Sequence, residues 1–134
     1  MPINHPSTTI LFIDDHKEDR QYWAQRLRTL EPDYIVLEAE TGKAGLAFCR
    51  SQKIDCVVVE LSLPDMSGFE VLVQLTRSAL RPEMAVVVLT ALSNPYLLEL
   101  ALKNGAQAAL RKTGLCTDLF EDSILKAIAT IRAR

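Results

Sequence analysis

Four places in this sequence carry side chains that could act together on one ligand: Asp14-Asp15, Glu60, Thr90 and Lys112. Three carboxylates in one site repel one another unless a cation sits among them. Oxygen-rich sites of that kind suit magnesium, which takes one or two carboxylates, carbonyl oxygens and several waters. A lysine ammonium offers a point charge to a phosphoryl or carboxylate oxygen. A threonine hydroxyl can donate to the same oxygen, and Ala91, beside Thr90, is small enough to leave access open. Each residue alone has a bland explanation, since an acid at the end of a strand is most simply a solvated loop residue. The chemistry depends on whether the fold brings the four places together.

The elements that must do so are strands. Val57-Val58-Val59 runs into Glu60 without polar alternation, the pattern of a strand buried on both faces of a parallel sheet. Cys56 to Glu60 is therefore the third strand. The first, Thr8 to Ile13, ends in Asp14-Asp15, and the fourth, Met84 to Leu89, ends in Thr90. Tyr34 to Glu38 is the second, and Ala108 to Arg111 is a weaker fifth that ends at Lys112. Helices are predicted between them. Lys17 to Leu30 has Tyr22, Trp23, Leu27 and Leu30 at helical spacing, and Pro32-Asp33 breaks it. Thr41 caps a helix over Lys43 to Gln52, with Ala44, Ala47 and Phe48 facing inward. Pro64 and Gly68 bracket the loop before a helix from Phe69 to Ser78, and Arg81-Pro82-Glu83 is the turn out. Asn94 caps and Pro95 opens a helix to Lys103, and Gly105 stops it in the left-handed conformation. Thr117 or Asp118 caps a last helix with Leu119, Ile124, Ala127, Ile128 and Ile131 as its apolar stripe. Strand and helix alternate five times, which predicts an α/β fold: a flavodoxin-like, doubly wound parallel sheet with helices on both faces. The carboxyl ends of its strands share one edge, so the four places converge there.

These residues resemble the receiver domain of two-component response regulators. The resemblance rests on Ile10-Leu11-Phe12-Ile13-Asp14-Asp15, Leu61-Ser62-Leu63-Pro64-Asp65-Met66-Ser67-Gly68, Val88-Leu89-Thr90-Ala91, and Gly105-Ala106 leading to Lys112. It covers the chain from Thr8 to Ile131 and implies strand order 2-1-3-4-5. In that family the acidic pair binds magnesium, and an aspartate ending the third strand accepts a phosphoryl group from a histidine kinase. The threonine and lysine then contact that phosphoryl group. Carried over residue by residue, Asp14, Asp15, Glu60 and the carbonyl of Ser62 become magnesium ligands, while Glu60, Thr90 and Lys112 form the phosphoryl site.

Three positions depart from the family pattern. Glu60 stands at the acceptor position, Ala109 where an aromatic switch residue is usual, and Thr113 where a proline usually follows the lysine. Glutamate carries its carboxylate one methylene further out, within direct reach of Lys112. It brings about one negative charge, whereas a phosphoryl group brings about 1.5 to 2. Ala109 has no ring to swing when Thr90 moves. A trans bond is expected at Lys112–Thr113, since a non-proline cis bond costs about 2.5–4 kcal/mol.

The remaining signals are weaker. His16 is a potential ligand but reads more simply as an exposed loop residue, and His5 lies in a terminal tail. Trp23 reads as core. Asp65 is a candidate substitute acceptor, although it sits on the loop beyond the strand end. Tyr96, Leu97, Leu100 and Ala101 offer a partner surface on the fourth helix. Cys49, Cys56 and Cys116 lack metal-ligand spacing and read as buried thiols in a reducing compartment.

Composition narrows the function classes. A chain of 134 residues with 49% apolar content suggests a single domain over 1–134, with a core over about 8–131. Net charge −2 gives no electrostatic case for nucleic acid or an anionic membrane. No apolar run approaches the roughly 18 residues of a membrane span, and the start carries no signal region. The expectation is a cytoplasmic signal-transduction module, not an enzyme, whose output does not depend on phosphorylation. Its partners would be a histidine kinase or other signalling protein, and an effector domain in a longer chain. One alternative is a conventional phosphoacceptor receiver in which Glu60 is an engineered substitution. Another is a small flavodoxin-like cofactor-binding protein. Against that one, Asp14-Asp15-His16-Lys17 holds no glycine, and its acids would repel a cofactor phosphate.

Overall fold

The computed structural model describes residues 7–77 and 84–133. The sheet has five parallel strands, β1 (Thr9–Ile13), β2 (Ile35–Ala39), β3 (Cys56–Val59), β4 (Ala85–Thr90) and β5 (Ala108–Arg111), in the order β2-β1-β3-β4-β5. Between and after them run α1 (Lys17–Leu30), α2 (Gly42–Ser51), α3 (Gly68–Thr76), α4 (Pro95–Lys103) and α5 (Thr117–Arg132). This is the flavodoxin-like order that the resemblance implied. Every residue of β1, β3 and β4 is buried, as their unalternated apolar runs require. Successive side chains point to opposite faces, and each face packs its own set of helices. Leu11, Ile13, Val57, Val59, Val86 and Val88 meet Leu46, Cys49, Val71, Leu72, Leu75 and Ala101 of α2, α3 and α4. Ile10, Phe12, Val58, Val87 and Leu89 meet α1 and α5, where the Trp23 and Phe120 rings pack at a tilt with centroids 4.6 Å apart.

Local signals account for most boundaries. Thr41 accepts from the Ala44 N–H as the α2 cap, and Asn94 caps α4 with Pro95 in its first turn. Gly105 adopts φ 106°, the left-handed stop expected after α4. Trp23 is core, as expected. The peptide bonds of the described residues are all trans, Lys112–Thr113 among them.

Other expectations need correction. Thr8, Tyr34 and Met84 lie just outside their strands, and Glu60 is the first residue beyond β3. Tyr22 and Leu30 of α1 are exposed. On α2 the inward face is Gly42, Gly45, Leu46 and Cys49, while Ala44 and Ala47 are exposed and Phe48 is half-buried. The missing Cβ of Gly45 lets the helix lie directly on Ile13. Neither Thr117 nor Asp118 caps α5. Cys116 occupies that position, without a side-chain cap bond, and is exposed. Leu119 is exposed too, and Phe120 takes its place in the stripe. Within α4, Tyr96 is exposed, Leu97 and Leu100 are half-buried, and Ala101 belongs to the core. His5, Ser78 and the turn at Arg81-Pro82-Glu83 lie outside the described residues.

Candidate functional site

Three of the site residues are each the first residue beyond a strand, and one further ladder bond fixes each. The Asp14 N–H donates to the Ala39 carbonyl, the Glu60 N–H to Ile13, and the Lys112 N–H to Thr90. Their side chains therefore leave the sheet along a common edge. Glu60 and Asp14 are each 4% exposed. The Lys112 Nζ lies 2.6 Å from Asp14 Oδ2 and 3.5 Å from Glu60 Oε1.

The Glu60 carboxylate is held mainly by backbone. Oε2 accepts from the Leu61 N–H at 2.7 Å, and Oε1 from the Ala91 N–H at 3.0 Å. The second bond joins the end of β3 to the loop between β4 and α4. Thr90 is fully buried, and its hydroxyl accepts from the Leu92 N–H at 3.1 Å. That hydroxyl makes no bond to Glu60 or Lys112 among the described residues. Ala91 itself is exposed.

Asp14 is braced from several sides. Oδ1 accepts from the His16 N–H at 2.9 Å, and its carbonyl accepts from the Arg20 guanidinium at 2.7 Å. Arg20 is buried and paired with Glu38 at 2.9 Å. Burial pushes the Asp14 carboxyl above its ordinary 3.8, outweighing the lysine beside it. For Lys112 burial acts the other way, but the bond and charge of Asp14, then Asp19 and Glu60, outweigh it and hold the ammonium above 10.5.

The pattern of strand ends did not point to Asp19. Its carboxylate lies 3.0 Å from Lys112 Nζ, and its N–H donates to the Nδ1 of His16, the α1 cap. One signal could have found it: Asp19 lies in the first turn of a helix that starts on the site edge, directly after the acidic pair. Asp15 is exposed and has no partner among the described residues. Ser62 is exposed and pairs with Ser67 in an isolated antiparallel bridge. Asp65 does not face the others. Its two oxygens accept from the Gly42 and Lys43 N–H groups at the start of α2. Among the described residues no group of three or more His, Cys, Asp or Glu side chains is placed to hold a metal ion.

A five-stranded parallel sheet in the order β2-β1-β3-β4-β5, with helices on both faces, defines the flavodoxin-like class. The family model of the response regulator receiver domain matches residues 10–122, and the chain belongs to that family. It is 36% identical over 124 residues to the transcriptional regulatory protein UhpA of Salmonella typhimurium, covering 92% of this chain and 58% of that protein. The chain thus spans little more than half the length of this curated relative. Among solved structures, a receiver domain protein from Clostridium thermocellum superposes with TM-score 0.82 at 29% identity, covering 94% of this chain and 98% of that one. The Mn(2+)-bound form of response regulator Rcp1 superposes with TM-score 0.75 at 25% identity, covering 87% and 88% of the two chains.

Proposed function

We propose that this receiver domain signals through protein contacts without accepting a phosphoryl group. The observation that carries this reading is the Glu60 carboxylate. It already takes the Leu61 and Ala91 N–H groups and stands 3.5 Å from Lys112, so it occupies donors that a transferred anion would need. In this reading Glu60 and Lys112 form a fixed ion pair rather than a reaction centre, Thr90 beside them holds the Leu92 N–H, and the domain is not an enzyme. Asp14, Asp15, Glu60 and the carbonyl of Ser62 have the chemistry of magnesium ligands. A cation there must compete with Lys112, so binding is weak and does not saturate in the low millimolar range. The domain is one unit over 1–134, works in the cytoplasm, and meets a histidine kinase or another signalling protein. An effector domain in a longer chain is consistent with the 58% coverage of UhpA, a transcriptional regulatory protein. No helix among the described residues is long and apolar enough to cross a membrane.

The test is incubation of the full chain with acetyl phosphate and magnesium, followed by intact mass and peptide mapping. The expected result is no adduct. An extra methylene misplaces the attacking oxygen, and displacement on the ångström scale costs on the order of a hundredfold in rate. A stable, stoichiometric phosphoryl adduct on Glu60 would overturn the reading. An adduct on Asp65 is not expected, because both its oxygens hold the start of α2.

A further inference from the structure

We infer that the Lys112 ammonium is the resident cation of this site, standing where a divalent metal ion would otherwise sit, and that Asp19 anchors it there. The inference rests on the receiver reading above and deepens it. Three carboxylates from three parts of the fold converge on Nζ: Asp14 after β1 at 2.6 Å, Asp19 in the first turn of α1 at 3.0 Å, and Glu60 after β3 at 3.5 Å. The lysine side chain is only 8% exposed, so little water competes for it. Two of the three acids have no unengaged oxygen. Asp14 uses Oδ1 on the His16 N–H and Oδ2 on Lys112. Glu60 uses Oε2 on the Leu61 N–H and Oε1 on the Ala91 N–H.

Magnesium fits this arrangement poorly and must compete with the ammonium for it. It requires oxygens at about 2.0–2.1 Å in near-octahedral order and gives up its waters reluctantly. It would have to evict the ammonium from Asp14 and pull carboxylates off backbone donors that shape the adjoining loops. The lysine, by contrast, is delivered by the chain itself at the end of β5. Asp19 is what distinguishes this from a simple contact between two strand ends. It fixes the ammonium from the helix side, and the His16 cap fixes the N–H of the same residue. With Asp19 in place the ammonium lies nearer Asp14 than Glu60, on the side where the acidic pair would receive a metal.

Manganese(II) is the probe, titrated into the full chain while the free ion is read by electron paramagnetic resonance. Wild type is expected to show no saturable binding through the low millimolar range. Lys112→Met should bind at least about tenfold more tightly. Lys112→Arg keeps the charge and should behave as wild type. Asp19→Asn loosens the anchor and should bind between the two. A Lys112→Met chain that is unfolded alone is expected to regain its circular dichroism when manganese is added. The inference fails if wild type binds as tightly as Lys112→Met, or if folded Lys112→Met binds no better than wild type. It also fails if an unfolded Lys112→Met chain is not restored. If Asp19→Asn matches wild type, the role of Asp19 falls. No phosphodonor is present, so the two tests separate. An adduct on Glu60 would remove the functional reading alone, and tight manganese binding by wild type would remove this one alone.

Discussion

Cys56 opens β3 fully buried, and its thiol is pushed up to about 12 from an ordinary 9.0, by burial first and by Asp55 second. The folded chain therefore holds this proton more tightly than the unfolded chain does. As pH rises past 9.0 the unfolded thiol ionises while the folded one cannot, so stability falls until about pH 12. One proton corresponds to a slope of about 1.4 kcal/mol per pH unit. Cys56→Val should flatten the decline by that slope in unfolding free energies from urea titrations between pH 8 and 11, while Lys112 and Tyr34, whose hydroxyl burial holds above its ordinary 10.0, still contribute in both proteins. Lys112 acts in the same direction, because its folded pKa lies above 10.5. Its contribution is full below that value and lost as pH rises through the folded pKa. Legibility at this scale followed the strand ends. Asp14, Glu60, Thr90 and Lys112 could be read because each stands at the end of an expected strand. Asp19 was harder to read, because an acid in the first turn of a helix is what the helix dipole alone favours. His16 was hidden for a similar reason, since histidine is an uncommon cap.

Gly68 carries the element scale. It is the first residue of α3, and its N–H donates to the Leu61 carbonyl at 2.8 Å. A Cβ added there would run into the Glu60 carbonyl and the Leu61 Cα, both backbone. Neither can yield without moving Glu60 off the Leu61 and Ala91 N–H groups. Gly68→Ala should therefore destabilise the fold by about 1–3 kcal/mol and shift the amide resonance of Ala91, at the end of the neighbouring strand β4. Gly42→Ala, whose new Cβ meets the flexible Met66 side chain, should cost less. Chemical denaturation and amide spectra of the two variants make the comparison. The same glycines explain why α2 was read on the wrong face. Alanines looked like the packing residues, yet Gly42 and Gly45 turn inward, because Met66 and Val71 at the one and Ile13 of β1 at the other leave no room for a side chain. The strands needed no such detail. Uninterrupted apolar runs placed β1, β3 and β4 to within a residue, and the order of the sheet came from the family resemblance.

At the scale of the whole molecule the question is whether an event at Glu60 can reach α4. The Ala91 N–H bond to Glu60 Oε1 ties the β4–α4 loop to β3 in one arrangement. Glu60→Asp shortens the side chain by one methylene, which should free that N–H and weaken the third contact to Lys112. The variant is expected to accept a phosphoryl group from acetyl phosphate at high magnesium. It should do so faster when combined with Asp19→Asn, which releases the ammonium toward the new anion. Acceptance should still not drive a large conformational change. A ligand shifts a two-state equilibrium only through contacts that differ between the states. Ala109, half-buried on β5 on the same face of the sheet as Leu97, has no ring to exchange one packing for another. Amide shifts on phosphorylation should therefore concentrate at Thr90, Ala91 and Lys112 and stay small over Pro95–Lys103. Adding Ala109→Tyr should enlarge the shifts on α4. If Glu60→Asp alone moves the whole helix, coupling runs through the Ala91 loop without any ring, and Ala109 is not the residue that silences it.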